Sequence, residues 1–150
     1  MIITARVHPG EPNGSWMMKG VIDFLISDQV EAKILRQNYI FKIVPMLNPD
    51  GVINGNYRCS LAGCDLNRRY KRPNKSLHPT IWHLKNMAKE FAYERPLALY
   101  CDLHGHSRRK NIFMYGNTDM KVPEQTRIFP FIISKLAPNH FSYDFSRFKV

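Results

Sequence analysis

A histidine and a glutamate three residues apart, His8 and Glu11, stand in a turn stiffened by Pro9, Gly10 and Pro12. An imidazole nitrogen and a carboxylate oxygen both reach one zinc ion at roughly 2.0–2.2 Å when such a turn folds them to the same side. Two protein ligands do not make a stable site. The candidates for a third are His104 and His106, in the segment Asp102-Leu103-His104-Gly105-His106-Ser107. Either one completes the two-histidine, one-carboxylate set of zinc hydrolases, with a fourth position left open. An HxxE pair alone arises often by chance, so the weight falls on its surroundings.

Between these positions lie Asn48-Pro49-Asp50-Gly51, then Asn56-Tyr57-Arg58, then Asp65-Leu66-Asn67-Arg68. The planar fork of an arginine matches a carboxylate in two parallel hydrogen bonds, and an asparagine adds a donor at the side. An Asn-Arg pair on a loop beside a metal site is therefore a clamp for a substrate carboxylate. A second arginine close to the metal suits the oxyanion that forms when water attacks a carbonyl.

The elements that must position these residues follow from hydrophobic pattern. Ile2 to Val7 is short, apolar and β-rich, and reads as a buried strand that Pro9 and Gly10 end. A helix is predicted from Ser15, with Trp16, Met17, Val21, Phe24 and Leu25 as its apolar positions, and a shorter one around Ala32 to Leu35. Tyr39 to Met46 reads as a strand closed by a turn at Asn48-Pro49-Asp50-Gly51. Residues 54 to 79, rich in Asn, Arg, Gly and Pro, read as a long functional loop. Pro79 suits the first turn of a helix through Tyr93. Pro96 to Leu103 and Asn111 to Tyr115 read as strands, and Arg127 to Leu136 as a helix that Pro130 interrupts. Strands alternating with helices imply an α/β fold, a mixed and largely parallel sheet with helices on both faces. Ligands bind such sheets just beyond the carboxyl ends of the strands. His8 and His104 each follow a predicted strand there.

Composition narrows the class. The chain has 150 residues, 44% hydrophobic and 12% aromatic, which suits one globular domain rather than disorder. No apolar run has the length of a membrane span and no secretory signal is visible, so no membrane partner is expected. Three cysteines, Cys59, Cys64 and Cys101, form no CxxC pair, which points to a reducing compartment. The formal charge of +10 favours an anionic partner, through Arg68, Arg69, Lys71, Arg72 and Lys75 and through Arg108, Arg109 and Lys110. No nucleic-acid-binding motif accompanies that charge.

The ordered segments HPGE, NPDGV, GNYR, DLNR and DLHGHS resemble the zinc metallocarboxypeptidases. The likeness is to the cytosolic branch, the tubulin deglutamylases, which trim glutamates from protein tails. SWMMKG, GNYRCSLAG and YCDLHGHS are similar to its members associated with cilia and centrioles. The resemblance implies a carboxypeptidase-like fold and Zn2+ held by His8, Glu11 and His104, the histidine that directly follows a strand. It implies that Arg58 stabilises the oxyanion and that Asn67 and Arg68 grip the terminal carboxylate of the substrate. Asp102 is placed to orient His104. The implied substrates are acidic protein C-terminal tails such as polyglutamylated tubulin. The implied location is the cytoplasm, at the basal body of the cilium or at the centriole.

The family's general-base glutamate has no counterpart here, since after His104 the only glutamate is Glu124, in a polar stretch beside Pro123. The expectation is that residues 1–150 form a partial catalytic domain, incomplete at both ends, with little or no turnover of its own. Two rivals share parts of the pattern. An aspartoacylase-like zinc deacylase shares the HxxE pair and a DLNR-like segment but not NPDGV, GNYR or HGHS. A non-catalytic basic binding module accounts for the charge alone.

Overall fold

The computed structural model describes residues 1–149, which form two compact units, Met1–Gly105 and the described residues from His106 onward. In the first, strand β1 (Ile2–Ala5) lies between β2 (Lys42–Val44) and β3 (Tyr100–Leu103), and both pairings are parallel. Helices α1 (Pro12–Ile26) and α2 (Val30–Asn38) connect β1 to β2. A short helix α3 (Pro49–Ile53), the long loop and helix α4 (Pro79–Glu94) lead back to β3. Every residue of β1 is buried, as a central parallel strand requires.

Alternation along β1 separates two apolar layers. Ile3 and Ala5 pack with Met18, Val21 and Ile22 of α1. Ile2 packs with Leu84 and Phe91 of α4, in a cluster completed by Val7, Leu47, Leu66 and Ile81. Helices therefore cover both faces of this sheet, and its described pairings are all parallel, so the α/β expectation holds. Helix α1 comes close to the sheet because residue 14 is glycine. A Cβ there would lie 2.8 Å from the Leu103 carbonyl oxygen at the end of β3. None of the described helices is long and apolar enough to cross a membrane. The three thiols are free, and burial pushes the Cys101 thiol up, with the neighbouring Asp102 adding to the shift.

Several element limits differ from the sequence reading. Tyr39 caps the C-terminus of α2, so β2 begins only at Lys42. The turn predicted at Asn48-Pro49-Asp50-Gly51 is the start of α3. The buried Asn48 side chain accepts from the Gly51 N–H at 3.0 Å while its Nδ2 donates to the Val7 carbonyl at 3.2 Å. In the second unit, β4 is Tyr115–Asn117 rather than Asn111 to Tyr115, because Asn111 takes a left-handed backbone (φ 63) that breaks an extended run. It pairs in parallel with β5 (Arg147–Lys149). Helix α5 (Gln125–Leu136) runs through Pro130 without interruption. The ring is buried, and the one bond it forfeits is to the Thr126 carbonyl, in the helix's first turns.

Candidate metal centre

β1 ends at Ala5 because Arg6 has a positive φ (58), and its carbonyl and that of Ala5 are taken by the Asn48 and Leu47 amides. The chain then rises beyond the carboxyl end of the sheet into the His8–Glu11 turn. The Arg6 side chain ties this turn down, with Nε donating to the Pro9 carbonyl and Nη1 to Ser15 Oγ, each at 2.8 Å. Gly10 lets the turn pack closely on Tyr57, since a Cβ would stand 2.6 Å from the Tyr57 carbonyl oxygen. β3 delivers His104 to the same end, because Ala5 is in register with Leu103.

The result is convergence. His8 Nδ1 lies 2.8 Å from Glu11 Oε1, and His104 Nδ1 lies 3.1 Å from Glu11 Oε2. One ligand atom from each residue falls within 4.8 Å of the others. Tetrahedral donors about 2.1 Å from a shared ion are about 3.4 Å apart, so the spacing is close to what zinc requires. The Gly105 N–H donates to Glu11 Oε2 at 2.7 Å and helps aim the carboxylate.

The far sides of both rings meet carboxylates too. His8 Nε2 is 3.0 Å from Asp65 Oδ1, and His104 Nε2 is 2.8 Å from Asp102 Oδ2. A neutral imidazole carries one N–H. If each Nε2–H donates to its aspartate, both Nδ1 lone pairs point at the Glu11 carboxylate, and a cation reconciles the three. The residues thus fit a zinc ion by donor type, spacing and the carboxylate–histidine pairing that fixes metal-binding imidazoles. Burial opposes the charged form of His104, but Asp102 and then Glu11 outweigh it and hold its pKa above the ordinary value.

Asp65 was present in the sequence reading only as part of a segment. Its carboxylate joins three groups: His8 through Oδ1, the Asn67 N–H through Oδ1 at 2.8 Å, and Arg58 Nε through Oδ2 at 2.8 Å. Burial works against its ionisation, yet the bonds from His8, Asn67 and Arg58 keep its pKa below the usual carboxylate range. No spacing rule ties Asp65 to a histidine 57 positions earlier. The contact exists only in the folded chain.

Arg58, Asn67 and Arg68 all lie on the 54–79 loop around Asp65. Arg58 is 43% exposed, and among the described residues only its Nε is bonded. Asn67 and Arg68 belong to a single 3-10 turn, Leu66–Arg68, anchored by the buried Leu66 and capped by Asp65. Arg68 is exposed, and so are Arg69, Lys71, Arg72 and Lys75. The loop is fastened to α4 by Lys85 Nζ, which donates to the carbonyls of Tyr70 and Lys71, and by Lys75 over the Trp82 ring.

His106 has a local role in the second unit. Its Nδ1 accepts from the Arg108 and Arg109 amides, and its ring meets Phe113 edge-on. In the second basic cluster, Arg109 lies against Phe113 and Phe145 and donates to the Phe145 carbonyl. A concavity of the first unit runs along β2 and α4, lined by Val44, Met46, Trp82 and Met87 and by no residue of the ligand trio.

A family model described as zinc carboxypeptidase matches residues 1–146. The chain belongs to the zinc carboxypeptidase family. Cytosolic carboxypeptidase 2 of Xenopus tropicalis is 56% identical to it over 153 residues, covering 100% of this chain and 16% of the relative. Cytosolic carboxypeptidase 3 of Mus musculus is 53% identical over 156 residues, with 100% of this chain and 16% of the relative covered. The chain thus spans about a sixth of the length of these curated relatives. Among solved structures, a metallo-carboxypeptidase from Burkholderia cenocepacia aligns with a TM-score of 0.76 at 27% identity, covering 99% of this chain and 40% of that one. One from Pseudomonas aeruginosa, in complex with (2-guanidinoethylmercapto)succinic acid, gives 0.62 at 29% identity, covering 75% of this chain and 29% of that one. The carboxypeptidase-like fold of this zinc carboxypeptidase family member is thereby established.

Proposed function

We propose that this chain carries the metal centre and the carboxylate clamp of a zinc-dependent metallocarboxypeptidase that acts on acidic C-terminal tails. The observation that carries the reading is the meeting of His8 Nδ1, His104 Nδ1 and the Glu11 carboxylate beyond the ends of β1 and β3. These three would hold Zn2+. The chemistry zinc supplies when bound is polarisation of a carbonyl and acidification of water toward a pKa of about 7. Asp65 and Asp102 hold protons at the Nε2 atoms of His8 and His104 and so keep both Nδ1 atoms available. Arg58, with Nη1 and Nη2 open among the described residues, donates to the oxygen that gains charge. Asn67 and Arg68 grip the terminal carboxylate of the tail. The neighbouring exposed cations, Arg69, Lys71, Arg72 and Lys75, favour glutamate-rich chains such as the polyglutamylated tail of tubulin. Glu11, Asp65 and Asp102 are all committed to imidazoles, so none of them is assigned as the proton acceptor. The dicarboxylic ligand of the Pseudomonas aeruginosa relative supports a carboxylate-ended occupant. The names of the cytosolic relatives support a cytoplasmic setting, and the likeness to ciliary members a place at the cilium or centriole.

A binding comparison tests the clamp. A glutamate-rich peptide with a free C-terminus should bind the zinc-loaded protein at least about tenfold more tightly than the same peptide amidated, since a bidentate charged pair is lost. Calorimetric titration reads both affinities. Arg68→Ala should erase the difference. Equal binding of the two peptides would remove Asn67 and Arg68 from the proposed role.

A further inference from the structure

Thr4 is the only residue of β1 with a polar side chain, and it is completely buried. It shares its face of the strand with Ile2, whose partners there are apolar. A buried hydroxyl without a partner is destabilising, whereas valine fills nearly the same space and needs none. The partner of Thr4 is specific. It lies in register with Asp102 across β1 and β3, and its Oγ1 donates to Asp102 Oδ1 at 2.7 Å. The other oxygen, Asp102 Oδ2, lies 2.8 Å from His104 Nε2, and His104 Nδ1 faces Glu11. Tyr100 stands 3.4 Å from Thr4 Oγ1, at a length that leaves Asp102 the principal acceptor.

We infer that Thr4 is a positioning residue: its hydroxyl, acting through Asp102, holds His104 in the Nε2–H tautomer with Nδ1 turned toward Glu11. A carboxylate bonded through one oxygen only can rotate about its Cβ–Cγ bond. With Oδ1 fixed by Thr4, Oδ2 stays in the plane that meets the ring edge of His104. As an acceptor without a proton, Oδ2 requires the hydrogen to be on Nε2. The value of this arrangement to the site rests on the proposed metal centre, because a lone pair on Nδ1 is what a metal needs from His104.

The tautomer is read directly in the zinc-free protein by long-range proton–nitrogen correlation of the His104 ring, at alkaline pH where the ring, whose pKa is raised, is neutral. The wild type and Thr4→Ser should show Nε2–H, and Thr4→Val a mixture with Nδ1–H. Thr4→Cys, whose thiol is a much weaker donor of similar size, is read the same way should the valine variant not fold. Zinc affinity, measured by competition with a chromophoric chelator, should fall about tenfold in Thr4→Val, the lower end for loss of a group behind a ligand, and stay within about threefold in Thr4→Ser. Added to Asp102→Asn, Thr4→Val should cost nothing more. An Nδ1–H tautomer in the wild type, or a Thr4→Val protein with unchanged tautomer and affinity, overturns the inference. A tautomer that follows Thr4 in a protein with no zinc affinity upholds it and removes the metal reading instead.

Discussion

Glu11→Gln or His104→Ala should reduce zinc binding by about a hundredfold or more, with the far-ultraviolet circular dichroism spectrum unchanged. The size follows from ligand number. An apparent zinc-binding free energy of about 10–16 kcal/mol for a four-ligand site gives each ligand roughly 2.5–4 kcal/mol. Glu11 is the most exposed to this test because it is shared. Its two oxygens face the two Nδ1 atoms at 2.8 and 3.1 Å, so neutralising it weakens the centre from both sides. Glutamine preserves the volume and an oxygen for the Gly105 N–H, which isolates the charge. Equilibrium dialysis with elemental analysis reads the stoichiometry. A Glu11→Gln protein that binds zinc as tightly as the wild type would mean that the trio is not a metal centre.

The second large effect is expected at Asp65. Asp65→Ala should weaken zinc binding about ten- to a hundredfold, the usual consequence of losing the carboxylate behind a ligating imidazole. It should also cost about 1–3 kcal/mol of stability in urea unfolding, because the Asn67 amide loses its acceptor and the half-buried loop its anchor. Asp65→Asn separates the two, since an amide oxygen still accepts from one donor but carries no charge for Arg58. Its stability should therefore lie near that of the wild type, while its zinc affinity falls between the other two. Equal zinc affinity in all three proteins would reduce Asp65 to a loop cap.

What the sequence made legible was mostly local. His8 and Glu11 are three residues apart in a rigid turn, and His104 follows a strand whose apolar run is broken only by Asp102, so their meeting follows from parallel strands alone. The covering helices were legible from apolar spacing, as at Leu25 in α1 or Ile81, Leu84 and Phe91 in α4, but in α1 Met18 is buried as well, while Trp16, read as part of the apolar face, is exposed. Contacts between distant segments were not. Asp65 reaches His8 and Thr4 reaches Asp102 only after the sheet and loop have formed. Element limits were misplaced where one residue's backbone overrode the pattern. Arg6 ends β1 early through a positive φ, and Asn111 shifts β4 toward the C-terminus in the same way. Asn48 turned an expected turn into a capped helix because its side chain serves two backbone groups at once. Pro130 shows the opposite error, a residue given more helix-breaking weight than one lost bond near a helix start carries.

X-ray absorption at the zinc edge of the metal-loaded protein tests the metal centre most directly. Multiple scattering from two imidazoles, with the remaining donors oxygen at about 2.0–2.2 Å and no sulfur shell, is the expected result. A sulfur shell at about 2.3 Å, or scattering from fewer than two imidazoles, would place the metal elsewhere and contradict the centre built from His8, Glu11 and His104.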